Sequence, residues 1–538
     1  SCLVLVHGLA SGSMINLRPL RYILLALSAS SIILWNLFAN GTTHLFWIVE
    51  RESLYYSIGR TLVLLSLVVE GIIFLSTTRY EELTLGLIRL GLPYRAGFAI
   101  STAFRMIPMI VASAYAVAEA HQYYEQAYRI ISAKDPRTKA DSISLIDILT
   151  NWAYAFYYLG DFKRLTELLA LHENEAASID DETKKAMFYA WFGWALWGTG
   201  RFKGAHEYLM RAKGIAERLG ERRVLGHTYT WLSWTCGMMG TFEEGLEAAG
   251  RAMEIAQSFP SDQYLSFKGL AGAALVHMLR GDLEAARRDS RALLDYGRRQ
   301  SNNRSLVLGY FMQGNINLLV GDAPSATGCY EKAIEAARDP LYVIFSRTYM
   351  GGAYVLAGRL VEAEKELASV IDFHERFDVG FLAGSARLYL ALAKIVKGRF
   401  GEGLKELAAI GDDARESGNM FLHLLALRYL GEVYLRVVEG GGPRSLAVMA
   451  RNIPFLIANV PFADNKAQEC IKKVIRVSEE TGARLQLGQA YLNLGLLHKA
   501  KKRRDKAKES LSEAVRVLGE CGADADLGRA KEALALLG

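Results

Sequence analysis

The sequence predicts an all-α chain in which N-terminal membrane helices (residues 1–121) precede a solenoid of about nine helical hairpins (residues 122–538). Two observations carry this. Residues 1–120 contain no Lys and no Asp, only eight Arg and six Glu, while the rest of the chain holds 55 basic and 51 acidic side chains. Beyond residue 122 a glycine recurs at spacings of 37–41 residues. The two halves suit different solvents, so the positive mean hydropathy of +0.11 averages an apolar fragment with a charge-balanced one.

Composition excludes several classes. A length of 538 residues allows two to four domains. A hydrophobic content of 51% with a net charge of only +6 excludes disorder. Five scattered Cys exclude a disulfide scaffold. A pI near 8.8 is too weakly basic to argue for nucleic acid, and none is expected as a partner.

Tyr22–Phe38 is free of charge, and Thr61–Ser76 is broken only by Glu70. Each is near the lower limit of the ~17–25 residues that cross a bilayer, and both are read as spans. Glu70 is either an ion or relay site or a group facing a neighbouring helix. Ser1 indicates a processed or truncated start, and no basic, cleavable leader is visible. Between Ser76 and Pro93, Thr78 can cap a short helix with Glu81 and Glu82 in its first turn. Leu83, Leu87 and Leu90 give it one apolar stripe. Ala96–Ala118 is apolar but contains Arg105 and Pro108. A central Arg and a helix-breaking Pro favour a non-spanning helix there.

The run LSTTRYEELTLGLIRLGLPYRAGFAISTAFRMIPMIV resembles the transmembrane T component of energy-coupling-factor transporters, the EcfT/CbiQ family. The resemblance covers residues 20–121 and implies a coupling segment over 77–121 carrying Glu82, Arg105 and Pro108. It also implies ATPase subunits as partners. At 118–124 the chain reads AEAHQYY, without the Arg and Gly of the family's coupling motif, which argues against that docking.

The second half is punctuated by Gly160, Gly200, Gly240, Gly281, Gly321, Gly358 and Gly398, each followed by a polar residue, with Lys502 in the same role late in the chain. Five residues after each turn stand Leu165, Ala205, Gly245, Ala286, Ala326, Ala363, Gly403 and Ala507, seven of eight of them small. That pattern predicts a helix, a left-handed Gly turn and a second helix approaching closely. One hairpin cannot bury its apolar face, so the units stack into a curved solenoid. An irregular insertion falls at about 443–466, and the last hairpin is polar and caps the stack. The units resemble tetratricopeptide repeats. Stretches such as FPSDQYLSFKGL and LGQAYLNLGLLHKAKKRRDKAKESLSEA resemble the C-terminal repeat region of bacterial adenylate/guanylate cyclase–AAA ATPase–repeat proteins. This resemblance spans 124–538 and implies a regulatory or interaction region. The chain has no GxxxxGK[ST] phosphate loop, so the ATPase activity is not carried over.

Other features have bland readings. Leu3–Leu9 is like a hydrolase oxyanion turn, but no G-x-S-x-G is present. The ten His and five Cys form no ligand motif, so no metal and no cofactor is expected, and Cys236, Cys329, Cys470 and Cys521 read as buried free thiols. Six of eight Trp lie between 152 and 234; Trp191 and Trp231 share one repeat slot and Trp194 and Trp234 another, which reads as core. The basic run Lys499, Lys501, Lys502, Arg503, Arg504, Lys506 and Lys508 lacks aromatic interleaving and reads as a solvated turn.

The functional expectation is a membrane-tethered, non-enzymatic scaffold that binds protein partners on its concave face, with lipid around its N-terminal helices. Its place is a bacterial inner membrane with the repeats cytoplasmic, or the cytoplasm if residues 1–121 are not an anchor. Two alternatives stand beside it. One is a transporter subunit with an appended regulatory domain. The other is a fusion of two unrelated gene fragments near residue 122.

Overall fold

The computed structural model describes residues 21–38, 43–46, 49–77, 89, 119–440 and 452–537. Contacts divide the chain into two compact units, residues 1–113 and 114–538.

In the first unit, helix Arg21–Phe38 and helix Arg51–Thr77 pack side by side. Two short antiparallel strands, His44–Phe46 and Val49–Glu50, connect them. Thr61 donates to Ser31 across the pair at 2.9 Å, and Arg60 lies over the rings of Trp35 and Tyr56. The second helix starts ten residues before Thr61, with Glu52 in its first turn, where a carboxylate suits the N-terminal dipole. Among the described residues, Arg51–Gly71 is the one segment long and apolar enough to cross a membrane, with a mean hydropathy of 1.2 over 21 residues. The apolar part of the first helix, Leu24–Trp35, is shorter than a span requires. Glu82, Arg105 and Pro108 lie outside the described residues.

The second unit begins with a helix over residues 119–132, which docks on the first hairpin through a Trp152 indole donating to His121 at 3.0 Å. Nine hairpins then run in order. The first four are Lys139–Leu159 with Phe162–Leu171, Glu182–Gly198 with Phe202–Leu219, Arg222–Met239 with Phe242–Ala256, and Gln263–Arg280 with Leu283–Arg299. The next three are Asn303–Leu319 with Ala323–Ala336, Pro340–Leu356 with Leu360–Phe377, and Gly380–Val396 with Phe400–Ser417. The eighth pairs Met420–Val438 with Ala463–Thr481 across the insertion, and the ninth pairs Arg484–Ala500 with Arg504–Cys521. One more helix, Asp524–Ala535, packs on the second helix of hairpin nine.

The turns share one construction. The seven turn glycines from Gly160 to Gly398 have φ between 75° and 102°, and Lys502 takes φ 56° in the same place. The residue after each turn donates its N–H to the carbonyl five residues back, as Asp161 does to Phe156 at 3.0 Å and Arg359 to Tyr354 at 2.8 Å. This bond satisfies a carbonyl that the helix end leaves orphaned. Asp161, Asp262 and Asp322 cap second or first helices by accepting an N–H three residues on. The small residues five after each turn are buried, and a methyl on Gly403 would sit 2.5 Å from Ile395.

The stack coils back on itself every five hairpins. Hairpin one touches six where the hydroxyls of Tyr157 and Tyr342 meet at 3.2 Å. Hairpin two touches seven, with Trp197 4.4 Å from Phe381 between ring centres. A Cβ on Gly380 would lie 2.1 Å from the Thr199 carbonyl oxygen. Hairpin three meets eight at Gly240 and Met420, and hairpin four meets nine through an ion pair between Asp282 and Arg484. First helices are thereby covered on nearly all sides, which explains why Phe188–Gly198 is buried without a break.

Candidate binding cleft

The first helices converge on the axis of this coil, and aromatic side chains fill its first part. Trp191, Trp194, Trp231 and Trp234 are fully buried, with Trp194 stacked on Trp197 at 4.5 Å and on Trp231 at 5.7 Å. Lys268 lies among them at 1% exposure. Its ammonium faces Tyr157, Trp194, Trp234, Tyr264 and Tyr342 at 4.6–5.9 Å, rings from five hairpins. Burial, assisted by the Arg304 charge, pushes its pKa down to about 7. Arg304 stays charged through its bidentate bond to Asp339 at 2.7 and 3.0 Å and lies over Tyr158.

Trp234 also borders a small apolar cavity of about 40 Å³, lined by Met238, Phe311, Leu318, Leu319 and Phe421 among others. Leu318 and Leu319 are shared with a larger, polar recess of about 320 Å³. Its walls come from the turn of hairpin five, the end of the first helix of hairpin six, hairpins eight and nine, and helix Asp524–Ala535. Arg428 pairs with Glu432 at 3.0 Å, lies over the Tyr429 ring, and leaves its buried Nε without an acceptor. Burial works against the Arg428 charge, but Glu432 overcomes it and holds the guanidinium protonated. Gln489 donates to Asp526 at 2.8 Å and to the Leu319 carbonyl at 3.2 Å. Asn493, Arg436, Glu439 and Arg529 complete the polar rim, and Leu356 stands there 42% exposed. An apolar floor under a rim of mixed charges and amides suits an amphipathic ligand.

The concave surface read from the sequence is therefore filled along its first four hairpins and open as a cleft near hairpins five to nine. The turn glycines do not line the cleft, except Gly321. Arg428, Gln489, Asn493 and Asp526 carried no motif. Their signal is weak but present: polar residues inside helices that are otherwise core.

Cys236 and Cys521 are buried, Cys329 and Cys470 half-buried, and all four are unpaired. Burial pushes the Cys236 thiol up to about 12 and the Cys470 and Cys521 thiols up to about 11. Among the described residues one group could hold a metal: His206, Cys236 and Glu244, with donor atoms within 4.8 Å of one another. These residues are 30 and 8 positions apart, so no short motif announces them.

Comparison with known proteins adds two findings. Residues 1–130 match the family described as Cobalt transport protein, CbiQ, and residues 488–517, in hairpin nine, match Tetratricopeptide repeat. The chain carries two family signatures. No curated protein matches it. Similar solved structures include NprR in complex with its cognate peptide NprX, at 16% identity and TM-score 0.42, covering 59% of this chain and 83% of that one. Yeast Tom70 matches at 12% identity and TM-score 0.34, covering 78% and 96%. A signal-transduction ATPase with a tetratricopeptide repeat sensor from Pyrococcus horikoshii matches at 16% identity and TM-score 0.33, covering 74% and 65%. The hairpin stack and the repeat match make the second unit a tetratricopeptide-like α-solenoid, and the transporter family match lies at residues 1–130.

Proposed function

We propose that the chain is a membrane-tethered, non-enzymatic scaffold whose solenoid takes a peptide segment of a protein partner into the cleft beside hairpins five to nine. The observation that carries this reading is the polar recess of about 320 Å³, where Leu318, Leu319 and Leu356 stand among the charged and amide side chains of hairpins eight and nine. A peptide with one apolar side chain and flanking charges matches this recess, where Leu319 and Leu356 lie beside Arg436, Glu439 and Arg529. Segment Arg51–Gly71 supplies the tether by its length and composition. Panning a displayed peptide library on the full chain in detergent tests the reading. Enriched peptides share an apolar residue flanked by charges, and Leu356→Asp weakens them by about tenfold or more. Peptides whose affinity is indifferent to Leu356→Asp contradict it.

A second reading, a transporter subunit with an appended regulatory solenoid, is favoured by the match over residues 1–130. Co-purification of ATP-binding subunits with the tagged chain supports it, and their absence from a preparation that keeps the membrane intact counts against it.

A further inference from the structure

Two sequence features stay outside this reading, the insertion and the basic run, and folding brings them together. Residues 453–462 form a short helix, Ile453–Asn459, that runs into a tighter turn, Val460–Phe462. Ile453, Ile457 and Val460 stand at i, i+4 and i+7, so they share one face. They are 52%, 71% and 47% exposed, and Phe462 beyond them is 55% exposed. Both ends of the helix are pinned. Asn452 donates to the Gly398 carbonyl at 2.6 Å, and Lys466 donates to Asn459 at 2.7 Å. A fixed helix that presents four large apolar side chains to solvent marks an interaction surface.

The groups flanking the stripe indicate the partner. Asp464, two residues past Phe462, binds Arg503 at 3.1 Å and Lys501 at 3.5 Å, so the basic turn of hairpin nine abuts the stripe. From Lys499 to Glu509 there are seven basic and two acidic side chains, Asp505 and Glu509. Lys472, Arg503 and Lys506 all bear on His498, which places a cation of hairpin eight in the same cluster. Beside it, Lys499, Lys502 and Arg504 line a recess of about 450 Å³ with Leu536 and Leu537, and Leu536 is 75% exposed. Apolar side chains that can enter the acyl boundary, set among ammonium and guanidinium groups, are the chemistry of a surface that binds anionic lipid.

We propose that the 453–462 stripe and the Lys499–Lys508 turn together dock the solenoid onto an anionic phospholipid bilayer. The inference rests on the membrane-tethered reading for its setting. It revises the sequence reading of the basic run as a solvated turn. Salt weakens the contact, because the cations act on exposed headgroups.

Hydrogen exchange of the full chain in nanodiscs tests it. One set of discs contains phosphatidylglycerol and phosphatidylcholine in equal parts, the other phosphatidylcholine alone. Amides of 453–462 exchange at least about tenfold more slowly in the anionic discs, and Lys499→Glu with Lys502→Glu abolishes the difference. Equal exchange in both discs overturns the proposal. So does equal protection in discs and in detergent, which assigns the stripe to a protein surface. Residues 51–71 report on the tether separately. Their protection in both discs supports the tethered reading, and their rapid exchange in both defeats that reading whatever 453–462 does.

Discussion

At the residue scale, single atoms decide how the coil closes. Gly380 has no side chain because the Thr199 carbonyl oxygen occupies the place of a Cβ, 2.1 Å away. Gly321 has a left-handed φ of 85° but open space around it. Gly380→Ala therefore costs about 2 kcal/mol or more through overpacking. Gly321→Ala costs about 1 kcal/mol, from backbone conformation alone. Denaturant unfolding of the two variants gives the ordering, and equal losses contradict it. Lys268 supplies a second test. Its pKa falls from 10.5 in the unfolded chain to about 7 in the folded one, chiefly by burial. Between those values the unfolded chain holds a proton that the folded chain has released, so this group makes stability rise with pH across that window. Below about pH 7 its unfavourable contribution is fully present, and the five surrounding rings offset part of it. Lys268→Met is predicted to raise stability by a few kcal/mol near pH 7, and the gain shrinks as pH approaches 10. Thermal or chemical unfolding across that range checks it; a gain that does not change with pH contradicts the assignment.

At the scale of elements, much was legible because each repeat states its own turn. A glycine every 37–41 residues, with a small residue five positions later, located the hairpin junctions. The coiling of hairpin one onto six was not legible, because its contacts join residues about 180 apart and obey no short period. One signal was available. The run Ala186–Trp197 reads AMFYAWFGWALW, apolar on every face, which an open solenoid cannot cover. Past the ninth hairpin, which the sequence marks as the polar cap, lies one more helix, the polar stretch Asp524–Ala535. It holds Asp526 against Gln489, and Ala530 and Ala533 are buried. Truncation after Gly522 is predicted to let hairpin nine fray, seen as faster amide exchange over 484–521 while hairpins one to four keep their protection. Unchanged exchange over 484–521 would show that the ninth hairpin needs no cover.

At the scale of the whole molecule, the composition break near residue 122 and the two family matches describe one chain with two kinds of segment. The first unit offers a helix that can cross a bilayer, and the second is a tetratricopeptide-like solenoid. The cleft could not be read in advance, because its rim residues come from hairpins five, six, eight and nine and from helix Asp524–Ala535. The most direct test of its role is photo-cross-linking from two positions of hairpin six in the full chain. One photoreactive side chain replaces Leu356, at the cleft, and the other replaces Val361, 78% exposed on the second helix. A cleft that holds the partner gives an adduct from position 356 that position 361 does not give. The same adducts in equal yield from both positions would contradict it.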